Sequence, residues 1–160
     1  MTTIVVISDT HGNRRDMERL FPVMEESDMI IHLGDTSQDG SFIRAKFPDK
    51  TYLLNGNCDL MKIGENELIL EVEGVKILAC HGHLYSVKSN LYRLVERAKE
   101  LGGAVALYGH THSACEMEID GVLTVNPGTM SRYSQKSYCY LVINGNKAVA
   151  KTVYFDERNL

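Results

Sequence analysis

Five apolar, strand-like runs in this chain each stop at a glycine-bearing turn that carries an imidazole, a carboxylate or an amide. Ile4 to Ser8 runs into Asp9-Thr10-His11-Gly12-Asn13. Met29 to Leu33 runs into Gly34-Asp35, and Thr51 to Asn55 into Gly56-Asn57-Cys58-Asp59. Val75 to Cys80 stops at His81-Gly82-His83, and Ala104 to Tyr108 at Gly109-His110-Thr111-His112. A β-branched run without alternation reads as a strand buried on both faces. In α/β sheets the carboxyl ends of such strands form the rim where ligands bind. One rim can therefore gather Asp9, His11, Asp35, Asn57, His81, His110 and His112.

The intervening segments fit that plan. Asn13 can cap a helix whose apolar residues Met17, Leu20, Phe21 and Met24 follow the helical period, and Pro22 should kink or divide it. Ser41 to Phe47 reads as a short helix. Glu67 to Glu73 and Val75 to Cys80 flank Gly74 as a hairpin. Lys88 to Leu101 reads as a helix stopped by Gly102-Gly103. Two more hairpins are expected, one around Asp120-Gly121 and one around Asn144-Gly145-Asn146. The order βαβαβ, hairpin, helix, strand and two hairpins predicts two packed sheets with helices outside. A length of 160 residues suits one domain, taken as residues 1–160.

Composition narrows the function. The net charge is −4 and no Lys/Arg run occurs, which argues against stable nucleic-acid binding. Any phosphate must then be held by a local centre. No apolar stretch is long enough to span a membrane, and Met1-Thr2-Thr3 lacks the features of a signal peptide. Cys58, Cys80, Cys115 and Cys139 are far apart, so free thiols in a reducing, cytoplasmic setting are expected.

Each motif has an ordinary structural reading. Asp9 can serve its own turn, Asn57 can occupy a left-handed turn position, and His110 with His112 can be a surface pair. His32 reads as a buried structural histidine. Their order at successive strand ends favours a metal site instead, because imidazole, carboxylate and amide oxygen suit divalent Zn, Mn, Fe or Ni.

The order Asp9-x-His11, Gly34-Asp35, Gly56-Asn57-x-Asp59, His81 and Gly109-His110-x-His112 resembles the calcineurin-like metallophosphoesterases. With Asn126-Pro127-Gly128-Thr129 it looks most like their small prokaryotic, YfcE-type phosphodiesterase branch. The resemblance implies a four-layer αββα sandwich of two mixed sheets with two divalent metal ions, Mn²⁺ foremost and Ni²⁺, Zn²⁺ or Fe as alternatives. It implies one ion on Asp9, His11, Asp35 and His112, and a second on Asp35, Asn57, His81 and His110, with Asp35 bridging. The implied activity is hydrolysis of a small phosphate ester, most of all a phosphodiester, by a hydroxide bridging two cations about 3.5–4 Å apart. Asn57, Cys58, Asp59 and His83 are the expected catalytic contacts. Many members carry His where Cys58 stands. A thiol is a poor general acid near neutral pH, so good leaving groups should be favoured. Relatives also suggest a homodimer or homotetramer. Two other classes compete. The retromer small subunit uses this fold as a protein scaffold with an impaired metal site. An aspartyl-phosphate phosphatase would need a second Asp where His11 stands.

Overall fold

The computed structural model describes residues 1–156, so the last four residues of the expected 1–160 domain lie outside the described ones. Ten strands form two five-stranded mixed sheets. The first contains β1 (Thr2–Ile7), β2 (Met29–His32), β3 (Thr51–Leu53), β9 (Ser137–Asn144) and β10 (Lys147–Tyr154), in the order β10-β9-β1-β2-β3. The second contains β4 (Glu67–Val72), β5 (Val75–Cys80), β6 (Val105–Leu107), β7 (Cys115–Ile119) and β8 (Val122–Asn126), in the order β4-β5-β6-β8-β7. Strands β1, β2 and β3 run parallel, as do β5, β6 and β8. Their carboxyl ends are the polar turns of the sequence.

Three apolar layers hold the sandwich. Ile4, Val6, Ile31 and Leu33 of the first sheet bury themselves against Ile77, Ala79, Val105, Leu107 and Val125 of the second. The opposite face of β1 and β2, Val5, Ile7 and Ile30, is covered by helices α1 (Arg14–Glu18), α2 (Phe21–Glu26) and α3 (Ser37–Lys46) through Met17, Met24 and Ile43, with Leu20 packing from the junction of α1 and α2. Leu78, Ala106 and Val122 on the outer face of the second sheet receive Leu94, Val95 and Ala98 of α4 (Tyr92–Glu100). The four-layer αββα sandwich is the expected one. Strands covered on both faces explain why Ile4 to Ile7 does not alternate.

Pro22 divides the first helical segment as expected: α2 carries it in its first turn, where the missing N–H has no partner to lose. Two boundaries differ from the sequence reading. Helix α3 begins at Ser37, four residues before the expected Ser41, and brings Asp39 into the interior. Helix α4 begins at Tyr92 rather than Lys88, because 83–85 form a 3₁₀ turn with Ser86 left-handed at its end. The four cysteines are free. Among the described residues no helix is long and apolar enough to cross a membrane.

Candidate metal centre

Asp9 is the pivot of the rim. It follows β1, is fully buried, and sits in the left-handed region at φ 53°. Its Oδ2 accepts hydrogen bonds from Ser8 Oγ (2.6 Å) and the His110 N–H (3.0 Å). Its Oδ1 is buried with no hydrogen-bond partner. Three imidazole nitrogens face Oδ1: His112 Nε2 at 3.1 Å, and His11 Nε2 and His81 Nε2 each at 3.9 Å.

His81, at the end of β5, is the second fixed point. Its Nδ1 donates to the Leu33 carbonyl at 2.8 Å, which leaves Nε2 facing the rim, a donor to the carboxylates when the ring is charged and a lone pair for a cation when it is neutral. Nε2 meets Asn57 Oδ1 at 3.0 Å and Asp35 Oδ2 at 3.4 Å. Burial opposes ionisation of Asp35. The His81 ring and the Cys58 N–H outweigh it and hold the Asp35 carboxyl well below the usual range.

Two groups of donors therefore have metal-ligand spacing. Asp9, His11 and His112 form one, and Asp9, Asp35 and His81 the other, with donor atoms within 4.8 Å of one another in each. Asp9 is common to both groups, whereas the resemblance gives that place to Asp35. The His110 ring lies 5.1 Å from the His81 ring, and the His83 ring 5.4 Å from it, both at the edge of the second group. His83 Nδ1 is buried without a partner. Burial and the neighbouring His81 and Lys62 charges lower the His83 pKa.

Backbone strain concentrates here. Among the described residues eight non-glycine residues have positive φ, and five are Asp9, His11, Asp35, His110 and His112. Such conformations persist only where surroundings over-determine them. Two glycines make the approach possible. A Cβ at Gly109 would collide with Ser8 Oγ and Asp9 Oδ2, and one at Gly56 with the Asp35 carboxylate.

The supporting residues were only partly visible in the sequence. Asp59 faces inward, accepting from the N–H groups of Gly56 (2.6 Å), Asp35 (3.1 Å) and Ser37 (2.5 Å). Cys58 is exposed, and its N–H donates to Asp35 Oδ1 at 2.9 Å. Burial and the Asp35, Asp59 and Asp9 charges push the Cys58 thiol up. His32 is fully buried, as read from the sequence. The Gly34 N–H points at its Nδ1 (3.1 Å), so Nε2 donates to Thr10 Oγ1 (3.0 Å). Thr10 in turn donates to Asp39 Oδ2 (2.7 Å), which also accepts from the Gly12 N–H (2.7 Å). This chain clamps the turn that bears His11. Asp39 had no sequence signal, because its role depends on a helix that starts earlier than its apolar pattern. On the other side, Asn126 Nδ2 donates to the Gly109 carbonyl (3.1 Å) and to Thr111 Oγ1 (2.9 Å), and Thr129 Oγ1 to the Asp9 carbonyl (2.8 Å).

A four-layer sandwich whose parallel strands deliver carboxylates and imidazoles to one rim is an architecture suited to holding divalent cations. Residues 2–147 match the calcineurin-like phosphoesterase superfamily domain, and the chain belongs to that superfamily. It is 32% identical over 158 residues to YsnB of Bacillus subtilis, a probable metallophosphoesterase, covering 96% of this chain and 90% of that one. It is 29% identical over 157 residues to a phosphodiesterase of Methanocaldococcus jannaschii, covering 81% of this chain and 85% of the relative. Vps29 from Entamoeba histolytica, in a crystal structure with zinc, shares the fold at a TM-score of 0.75 and 18% identity, covering 96% of this chain and 99% of Vps29.

Proposed function

We propose that this rim hydrolyses small phosphodiesters with two divalent cations, Mn²⁺ foremost, held by Asp9, His11, Asp35, Asn57, His81, His110 and His112. The observation that carries the reading is Asp9 Oδ1. It is a buried carboxylate oxygen that no donor serves, faced by three imidazole nitrogens. An orphaned buried acceptor is costly, and a cation among these donors removes the cost. The donor set, carboxylate and imidazole with one amide oxygen, fits Mn, Fe, Zn or Ni. Bound there, the cations supply positive charge to the phosphate oxygens and acidify the attacking water.

The chain's own residues do the rest. The Leu33 carbonyl fixes the His81 tautomer, and Ser8 with the His110 N–H fixes the Asp9 carboxylate. Asn57 offers its oxygen to a cation or its amide to a phosphate oxygen. Asp59 acts through the Asp35 and Gly56 backbone, as a positioning residue. His83 stands at the substrate edge with a free ring nitrogen. The Cys58 thiol is a weak hydrogen-bond donor and a poor general acid for a poor leaving group. Esters with good leaving groups are therefore preferred, and diesters over alkyl monoesters. The name of the M. jannaschii relative supports the same substrate class. A groove of about 280 Å³ beside His112, lined by Ser113, Ser134, Gln135 and Tyr154, suits a polar, uncharged alcohol portion.

A scaffold function of the Vps29 kind competes through the fold alone. It is disfavoured by the greater sequence identity to a probable metallophosphoesterase and a phosphodiesterase than to Vps29. The deciding experiment strips metal with chelator, then assays aryl and alkyl mono- and diesters with Mn²⁺, Ni²⁺, Zn²⁺ and Mg²⁺. Diester hydrolysis restored by Mn²⁺ is expected. A purified protein that neither binds nor is activated by any of the four ions would leave the scaffold reading standing.

A further inference from the structure

A cavity of about 320 Å³ is walled by Asn13, two residues beyond His11, and by Arg15, Asp16, Arg19, Arg132 and Lys136. Among the described residues that line it, four side chains are cationic and one is a carboxylate, in a chain whose net charge is −4. Asp16 is already shared, with Arg19 at 3.5 Å and Lys136 at 3.7 Å. Its pKa reads the local field: burial opposes ionisation, but the Asn13 amide and the Lys136 and Arg19 charges outweigh it and lower the value. Among the described residues, neither Arg15 nor Arg132 has a carboxylate partner. The Arg19 guanidinium is stacked 5.3 Å over the Phe155 ring, which holds it in place.

The cavity is tied to the metal centre. Asn13 is buried, and its amide donates to Asp16 Oδ2 (2.7 Å) and to the Met130 carbonyl (2.8 Å). The Met130 N–H donates to the Asp9 carbonyl at 3.3 Å. One wall of the cavity is thus two hydrogen bonds from Asp9. Like charges crowded in a concave site repel one another until an anion joins them, and the guanidinium fork matches phosphate oxygens.

We propose that this cavity is an anion subsite that takes a second phosphate group of the substrate, so that diesters carrying an additional phosphate, as nucleotide-type esters do, are preferred. The assignment to substrate rests on the phosphodiesterase reading, but the anion site itself is measurable without it. Chelator-treated protein at pH 8 is titrated with inorganic phosphate by calorimetry, while amide NMR follows the Asn13 side chain. Saturable binding that shifts the Asn13 signals is expected, weakened about tenfold by Arg132→Ala and again by Arg15→Ala. Lys99→Ala, a distant charge paired with Asp120, is the control and should leave binding within about twofold. No phosphate binding, or binding that ignores both arginine substitutions, would overturn the subsite.

The Mn²⁺-loaded enzyme then tests the occupant. Arg132→Ala should lower kcat/KM for a nucleotide aryl ester bearing a further phosphate about tenfold more than for bis(p-nitrophenyl) phosphate. An equal effect on both would overturn the assignment to substrate. A protein that binds phosphate in the metal-free titration yet hydrolyses no ester would instead overturn the phosphodiesterase reading, so the two failures are distinguishable.

Discussion

His112 Nε2 lies 3.1 Å from Asp9 Oδ1, joining a residue that follows β6 in the second sheet to one that follows β1 in the first. The contact closes the seam between the two sheets. Had these residues stood at opposite ends of the molecule, there would be no shared cage of donors. Because Asp9 Oδ1 also faces His11 and His81, one atom's environment dominates the chemistry expected of the rim.

Asp9→Asn should lower Mn²⁺-dependent diester hydrolysis by more than about 100-fold, since changes one shell further out already cost ~10–100-fold. The metal-free variant should melt no lower than the metal-free parent, because the substitution removes a buried charge left without a donor. A clear drop in its melting temperature would mean that Asp9 serves the fold rather than the cation.

Divalent metal should raise the melting temperature. An ion at about 100 times its Kd adds ~2.7 kcal/mol to stability. A thermal scan of chelated and Mn²⁺-loaded protein measures this, and chelator should reverse it. Identical scans would speak for a fold that carries no ion.

Cys58→His tests leaving-group assistance. An imidazole there should speed alkyl-ester hydrolysis by about 10²-fold or more. Activated aryl esters, which need no proton, should change little. Rates on a graded series of leaving groups give the comparison, and a uniform change across the series would remove position 58 from proton transfer.

Asp39→Ala leaves the Gly12 N–H and the Thr10 hydroxyl without their acceptor. The expected cost is about 1–3 kcal/mol in urea unfolding. Mn²⁺ affinity should also weaken by ~10-fold, because the His11 turn loses its clamp. Retained affinity with lost stability would confine Asp39 to the core.

Glu67 on β4, paired in register with Cys80, accepts from Arg97 at 2.7 Å and from the Tyr85 hydroxyl. The Arg97 hydrogen bond lowers the Glu67 pKa despite burial, and Tyr85 assists. A depressed carboxylate contributes stability above its unfolded pKa of about 4.3, and loses it as pH falls through the lower folded value. Melting temperatures should therefore decline below about pH 4.3, and Glu67→Gln should flatten that decline. An unchanged acid slope in the variant would assign it to other carboxylates.

Much of the fold was legible because its signals are local. Ile4 to Ile7 and Val75 to Cys80 read as strands from β-branched or apolar runs. Asp120-Gly121 read as a hairpin because a residue of each type accepts positive φ, as both do. The start of α3 was not legible, since Ser37 to Gly40 lacks an apolar face and is helical only where Asp39 meets Thr10 and Gly12. The start of α4 was displaced by the left-handed turn at Ser86, which side-chain periodicity does not reveal.

The chain by itself determined which chemical groups reach the rim, because strand periodicity and turn residues place each motif within a few positions of a strand end. Tertiary structure alone decided which atoms face one another. It made Asp9 common to both donor groups, turned Asp59 inward onto backbone N–H groups, and set Arg15 and Arg132 around one cavity. Such distances come from the packing of two sheets across a shared core, a long-range event that no local stretch of sequence encodes.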